Sequence, residues 1–301
     1  MIVAIRAAAL VLGLGLLAGC TTSTAVPQPP VAASAVQTVR ADEAFLALER
    51  KFGARLGVSV VDTGSGRTLA YRADERFAHA STFKALAAGV VLRRASDADL
   101  DRVIQYTEKD LLEYAPITKQ RVGTGMSLRE LLDASVRYSD NTAANLIFTY
   151  LGGPQALQRE LRALGDVTIQ VDRVEPALNE ATPGDPRDTT TPAALATTLR
   201  ALALGDALTP PRRQVLVELL QGNTTGGPYV RAGVPAGWRV GDKTGSGGYG
   251  TRNDVAVVWP DGGRAPLVLA LLSDRGKPGA ESGDALLAEA TRAALTALDQ
   301  R

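Results

Sequence analysis

The 301-residue chain is poor in the side chains that most often hold metals or relay protons: it contains 1 His and 1 Cys. One cysteine closes no internal disulfide. A zinc hydrolase needs three or four Cys, His or carboxylate ligands, usually several of them histidines. Any Ser-His-Asp triad would have to use His79, so serine chemistry in this chain must find another base. An excess of either charge is missing too. Lys and Arg number 33 against 32 Asp and Glu, a net charge of +1. That balance offers no basic footprint for nucleic acid and no polybasic patch for a membrane. With 45% hydrophobic and 22% charged residues, the composition is nevertheless that of a globular chain. Its length suits two domains or one large one, with enough buried surface to need no staples.

A membrane-spanning run is also lacking. Residues 1–20 carry Arg6, then an apolar stretch over 7–17, then Leu17-Ala18-Gly19-Cys20. The stretch is short for a membrane span and reads as a secretory signal over residues 1–19. Leu-Ala-Gly-Cys resembles a bacterial lipobox, which implies cleavage before Cys20 and lipidation of Cys20. The alternative is an ordinary signal with an incidental cysteine. A lipid thioether accounts for an unpaired cysteine in an exported protein. Residues 20–40, mixed from Thr, Ser, Pro, Gln, Ala and Val, cannot build a core and read as a tether. The expected location is the periplasm or cell envelope, with the chain lipid-anchored.

Periodicity predicts a helix over 41–56, a β-hairpin from strands 57–61 and 67–71, and a helix over 81–94 that is apolar on one face. Helical patterns follow over 127–138, 141–151, 154–164, 192–204 and 210–220, several opening on Ser, Asn or Pro. Strands return over 238–244, 251–259 and 266–273, before a last helix over 280–298. Strands at both ends with helices between predict an α+β fold in two lobes. An antiparallel sheet flanked by the terminal helices (41–75 and 225–301) carries an inserted all-helical lobe (76–224). The segment 172–191 has no periodicity and holds several prolines, as functional loops often do. Clefts between lobes commonly hold small molecules.

Ser81-Thr82-Phe83-Lys84 puts Ser81 and Lys84 one turn apart on one helix face. A serine hydroxyl is a poor nucleophile until a base takes its proton, and a desolvated lysine can be that base. Taken alone, the pair reads as a helix cap followed by a solvated lysine. Ser139-Asp140-Asn141 lies between two helical patterns, where Asp140 or Asn141 could simply cap the second. Lys243-Thr244-Gly245 ends a strand, where a cation, a hydroxyl and an open backbone could meet a ligand. Gly245-Ser246-Gly247-Gly248-Tyr249-Gly250 fits G-x-G-x-x-G, but another strand follows it, so it reads as a hairpin turn and not a dinucleotide site.

Ser-x-x-Lys, Ser-Asp-Asn and Lys-Thr-Gly in this order resemble the signature of class A β-lactamases and penicillin-binding proteins. Residues 173–180, from Arg173-Val174-Glu175-Pro176 to Asn179-Glu180, with Asp185, Arg187 and Asp188 beyond, look like the class A Ω-loop. Pro235-Ala236-Gly237-Trp238 also fits the family, and the similarity runs from Ala41 to the last helix. It implies a class A serine β-lactamase that hydrolyses penicillins, with cephalosporins suggested by Ser246. The resemblance makes Ser81 the nucleophile. Its base is Lys84 or, through a water, Glu175. Glu175 also drives deacylation with a water oriented by Asn179. Ser139 passes a proton to the ring nitrogen. Lys243, Thr244, Gly245, Ser246 and Arg252 line the substrate carboxylate site, Asn141 holds the side-chain amide, and Tyr114 forms a cleft wall. Arg173 and Asp188 would pin the loop as a buried pair. No metal or organic cofactor is implied; the partners are the β-lactam and a water, and a monomer is expected.

The family pattern is not matched everywhere. Ala80 precedes the nucleophile and Gly247 follows Lys-Thr-Gly, positions that some members bridge by a disulfide this chain cannot form. Val174 stands where a tryptophan is common. Two other readings compete: a penicillin-binding DD-peptidase and a β-lactam-binding sensor lipoprotein. Both should lack the arrangement of Glu175 and Asn179.

Overall fold

The computed structural model describes residues 38–39 and 41–299. The signal, almost all of the tether and Cys20 lie outside the described residues. The chain opens with β1 (Thr38–Val39), α1 (Asp42–Phe52), β2 (Arg55–Asp62), β3 (Thr68–Tyr71) and β4 (Phe77–Ala78). The first helix is shorter than the 41–56 pattern. Gly53 turns left-handed at φ 57° and its N–H returns to Glu49 O, so the chain leaves the helix and enters β2.

A helical stretch follows: α2 (Phe83–Arg94), α3 (Asp97–Asp101), then the short strands β5 (Val103–Ile104) and β6 (Met126–Ser127), then α4 (Leu128–Arg137), α5 (Asn141–Leu151) and α6 (Pro154–Ala163). After β7 (Thr189–Thr190) come α7 (Pro192–Ala203), α8 (Pro210–Gln221) and α9 (Val230–Gly233). The chain closes with β8 (Arg239–Ser246), β9 (Arg252–Trp259), β10 (Leu267–Asp274) and α10 (Asp284–Asp299). Proline at the first helical turn starts α6, α7 and α8, where a missing N–H costs no bond. Three short helices or turns around 97–120 escape the periodicity reading, being too brief to repeat a pattern.

Both ends of the chain build one sheet, in the order β1-β3-β2-β10-β9-β8. Every neighbouring pair is antiparallel except β1 with β3, which is parallel. The expected antiparallel sheet therefore holds from β3 to β8.

Strand β10 is apolar without alternation because both its faces are covered. Val268, Ala270 and Leu272 pack among the helices of the middle of the chain, while Leu267, Leu269 and Leu271 pack against α1 and α10. Helix α2 is buried all round from Phe83 to Leu92, and not on one face as its sequence suggests. It sits at the centre of the helical stretch, contacting α4, α5, α6, α7 and α8. Gly89 allows one of those approaches, since a Cβ there would lie 2.7 Å from Leu202 Cδ1. The β4–β7 pair joins Phe77 to Thr190 and Ala78 to Thr189, and His79 N–H donates to Asp188 O at 3.0 Å. The far end of the 172–191 loop is thereby tied to the residues just before Ser81.

Candidate active site

Ser81 sits in a 3₁₀ turn, Ala80–Thr82, that runs directly into α2. The tighter turn keeps the serine at the helix start while Lys84, three residues on, lies one turn deeper. The Lys84 side chain is fully shielded from solvent. Its Nζ reaches Glu175 Oε1 at 2.9 Å, Ser139 O at 2.9 Å, Asn141 Oδ1 at 2.6 Å and Ser139 Oγ at 3.4 Å. Ser81 Oγ donates to the same Glu175 Oε1 at 3.4 Å. A solvated lysine is thus replaced by one whose proton is held below the ordinary lysine range by burial, against the opposing pull of Glu175. His79 takes no part: its ring nitrogens face Ala80 O and Gln170 O, each at 3.0 Å.

Glu175 is held from three sides. Asn145, on α5, donates through Nδ2 to Glu175 O and accepts from Glu175 N–H, both at 2.9 Å. Asn179 Nδ2 donates to Glu175 Oε2, and Lys84 occupies Oε1. The Glu175-Pro176 peptide is cis. Asn179 Oδ1 is buried without a protein partner, which leaves an acceptor for a small polar molecule beside the carboxylate. The loop carrying these groups is pinned at its neck. Asp188 is fully buried and accepts from Arg173 Nε at 2.6 Å and from the N–H groups of Asp172 and Arg173 at 2.8 and 3.0 Å. Gly248 N–H donates to Asn179 O at 2.8 Å, and a Cβ on Gly248 would meet Glu180 O at 2.4 Å, so glycine permits this loop and the β8–β9 turn to touch.

Ser139 turns left-handed at φ 57° between α4 and α5. Asp140 makes that turn possible: it caps α5 through Ala143 N–H and accepts from Ile117 and Thr118 N–H. Helix capping by Asp140 thus coexists with Ser139 and Asn141 lining the cleft. From β8, buried Lys243 donates to Ser139 Oγ at 3.0 Å and to Thr244 O at 2.9 Å. Burial, with the Lys84 charge adding to it, pushes Lys243 down to about 7. Asn141 meets Lys84 besides facing the cleft, a contact that the sequence does not announce.

Strand β8 is an edge of the sheet, and the turn after it leads into β9, so the G-x-G-x-x-G run is a hairpin. Thr244, Gly245 and Ser246 line a cleft of about 320 Å³ together with Ser81, Ser139 and Arg252. Tyr114, half exposed, forms its outer wall. Arg252 donates to Ser246 and Ser282 hydroxyls, and its Nε pairs with Asp284 Oδ1 at 3.0 Å, so it is aimed and not free on the strand edge. Thr244 Oγ1 is 2.6 Å from Thr225 Oγ1. The sequence reading misses Asn145, Thr225, Tyr229 and Asp284. Each is an ordinary polar residue in its own segment, and only Asn145 carries a clue, lying four residues after Asn141 on the same helix face.

The description "Beta-lactamase enzyme family" matches residues 40–298. The chain is 57% identical over 257 residues to a β-lactamase of Amycolatopsis lactamdurans, covering 85% of each. It is 54% identical over 287 residues to β-lactamase AST-1 of Nocardia asteroides, covering 95% of this chain and 92% of the relative. The solved class A β-lactamase of Clostridium kluyveri superposes with a TM-score of 0.84 at 45% identity, over 85% of this chain and 98% of the other. These similarities span the sheet, the helical stretch and the cleft between them, and the chain belongs to the class A β-lactamase family.

Proposed function

We infer that this protein hydrolyses β-lactam antibiotics, penicillins and cephalosporins, through an acyl-enzyme on Ser81, and so confers resistance to them. Ser81 Oγ attacks the lactam carbonyl carbon as its proton passes to the Lys84–Glu175 pair. The backbone N–H groups of Ser81 and Ser246 hold the developing oxyanion. The C–N bond then breaks and the ring nitrogen takes a proton from Ser139, which Lys243 supports and which is reprotonated by Lys84, 3.4 Å from its Oγ, so that the proton lost by Ser81 ends on the ring nitrogen. Thr244, Ser246 and Arg252 bind the substrate carboxylate, a role that suits a planar guanidinium, and Gly245 lets β8 lie against the turn that carries Ser81, since a Cβ there would meet His79 O at 3.0 Å. Asn141 holds the side-chain amide and Tyr114 covers the bound drug. A water then attacks the ester carbonyl. Asn179 orients it, and Glu175 takes its proton and passes it to Ser81 Oγ as the ester C–O bond breaks and the penicilloic-type acid leaves.

The observation that carries the reading is the shared oxygen: Glu175 Oε1 meets both Ser81 Oγ and Lys84 Nζ. A base so near the ester separates a hydrolase from a penicillin-binding peptidase or a sensor that stays acylated. Mass spectrometry after mixing with penicillin tests it. The intact enzyme should return to its free mass, and Glu175→Ala should accumulate an adduct on Ser81. A lasting adduct on the unaltered protein would overturn the reading.

The same proposal covers export. Signal cleavage before Cys20 and a lipid on that residue would hold the enzyme at the cell envelope, a reading that rests on Leu17-Ala18-Gly19-Cys20. Labelled palmitate should enter the wild-type protein and not Cys20→Ala. A monomer is proposed because one chain supplies every group in the scheme; light scattering of the soluble enzyme checks it.

A further inference from the structure

Behind Lys243 lie two carboxyl groups that the scheme above leaves unused. Asp242 and Asp254 stand on adjacent strands and are both fully buried. In the register of the sheet Thr244 faces Asp254, so Asp242, two residues earlier on β8, lies diagonally across on the same face. Asp242 is well supplied with donors. Arg231 Nε reaches its Oδ1 at 2.7 Å and Asn223 Nδ2 its Oδ2 at 2.7 Å. Asp254 is not. Its Oδ2 accepts from Val230 N–H at 3.1 Å, while Oδ1 is buried with no donor facing it. Its remaining neighbour within hydrogen-bonding reach is the Asp242 carboxyl, and no guanidinium or ammonium group forms an ion pair with it among the described residues.

Two carboxylates cannot hydrogen-bond unless one keeps a proton, and a buried ion without a partner is expensive. The proton belongs on the poorer site. We infer that Asp254 is a neutral carboxylic acid in the folded enzyme and donates its proton to Asp242. It is thereby a positioning residue for Lys243, because the pair shows that ammonium group one negative charge and not two. Burial and the neighbouring Asp242 hold the Asp254 proton well above the ordinary carboxylate range, in the same direction. The charges facing Lys243 are then Lys84 on α2, Glu175 on the loop and Asp242 alone. Those facing Asp254 are Asp242 with its partner Arg231, Lys243, and, through Tyr229, the pair formed by Arg252 and Asp284. Gly226 closes the site. A Cβ there would lie 1.8 Å from Asp242 Oδ2, so glycine lets the backbone cover the pair and keep water out.

The consequence for catalysis rests on the hydrolase reading. With Asp254 neutral, Lys243 loses its proton at lower pH than it would beside two carboxylates, and the alkaline limb of kcat/KM follows it. Asp254→Asn keeps a neutral group that can still donate to Asp242. Its alkaline limb should stay within about half a pH unit of wild type. An ionised Asp254 would instead make this substitution remove a charge, and the limb would fall by about one unit or more, which would overturn the proposal.

A substrate-free measurement separates this from the hydrolase reading. Infrared difference spectra of wild type against Asp254→Asn at about pH 7 should show the C=O stretch of one protonated carboxyl in wild type only; its absence would overturn the assignment whatever the protein hydrolyses. Should Asp254→Asn not fold, ¹³C spectra of aspartate-labelled wild type give the same reading. One carboxyl that keeps its acid shift at about pH 7 supports the proposal, and ionisation of every aspartate overturns it.

Discussion

Lys84 Nζ and Glu175 Oε1 stand 2.9 Å apart with both side chains wholly shielded from solvent. A buried ion pair is a weak source of net stability, but breaking it by removing one partner typically costs about 3–5 kcal/mol, because the other charge stays behind. The pair is therefore expected to be retained for chemistry. Lys84→Met should lower kcat/KM by about 10²- to 10⁴-fold, the usual contribution of a positioned base. It should also lower Tm. The double variant Lys84→Met with Glu175→Gln should be as inactive as the single one yet recover much of the lost Tm. A double variant less stable than Lys84→Met would contradict this account.

Asp188 gathers three donors at the neck of the loop that carries Glu175. Asp188→Ala should destabilise the protein by about 3–5 kcal/mol at most, since Arg173 keeps a second partner in Glu180. Its kinetic effect should fall on the step that needs the loop. Stopped-flow measurement is expected to show acylation slowed less than deacylation, with acyl-enzyme building up. Equal loss of both steps would argue that the ion pair does not act through Glu175.

Asn145 holds the Glu175 backbone through both its N–H and its C=O. Asn145→Ala leaves both groups without those bonds, at about 1–3 kcal/mol for each buried group left unsatisfied. Since the residue touches no part of Ser81 in the hydrogen-bond network, kcat should fall through slower deacylation. Burst amplitude with a chromogenic cephalosporin separates the steps: a larger burst followed by a slower steady state is the expected pattern, and an unchanged profile would remove Asn145 from the positioning network.

Lys243 gives stability a definite slope with pH. In the folded chain its proton leaves near pH 7, while in the unfolded chain it leaves near the ordinary value of about 10.4. Between those values the unfolded state binds more protons, so stability rises with pH. Below about 7 both states hold the proton and the slope from this group disappears. Urea unfolding at about pH 7, 8 and 9 should show wild type gaining stability relative to Lys243→Met across that series. A parallel pair of curves would mean that Lys243 is not depressed in the folded state.

The chemical vocabulary of this protein is legible in its residues alone. The scarcity of histidine and cysteine and the three short motifs in order point to Ser81, Lys84, Ser139 and Lys243, the family resemblance of the irregular proline-bearing segment adds Glu175, and hydrophobic periodicity is enough to separate a sheet of both termini from the helices between. These features are local, and local patterns can be read without coordinates. Which of these groups touch depends on the fold. Glu175 comes from 94 residues beyond Ser81 and Lys243 from 104 beyond Ser139, and no periodicity encodes such distances. Helix α2 looked one-faced because a sequence shows its residue types and not the five helices around it. Thr225 and Asp284 are silent for the same reason. A polar side chain gains its role from the partner that folding brings to it and from the water that folding takes away.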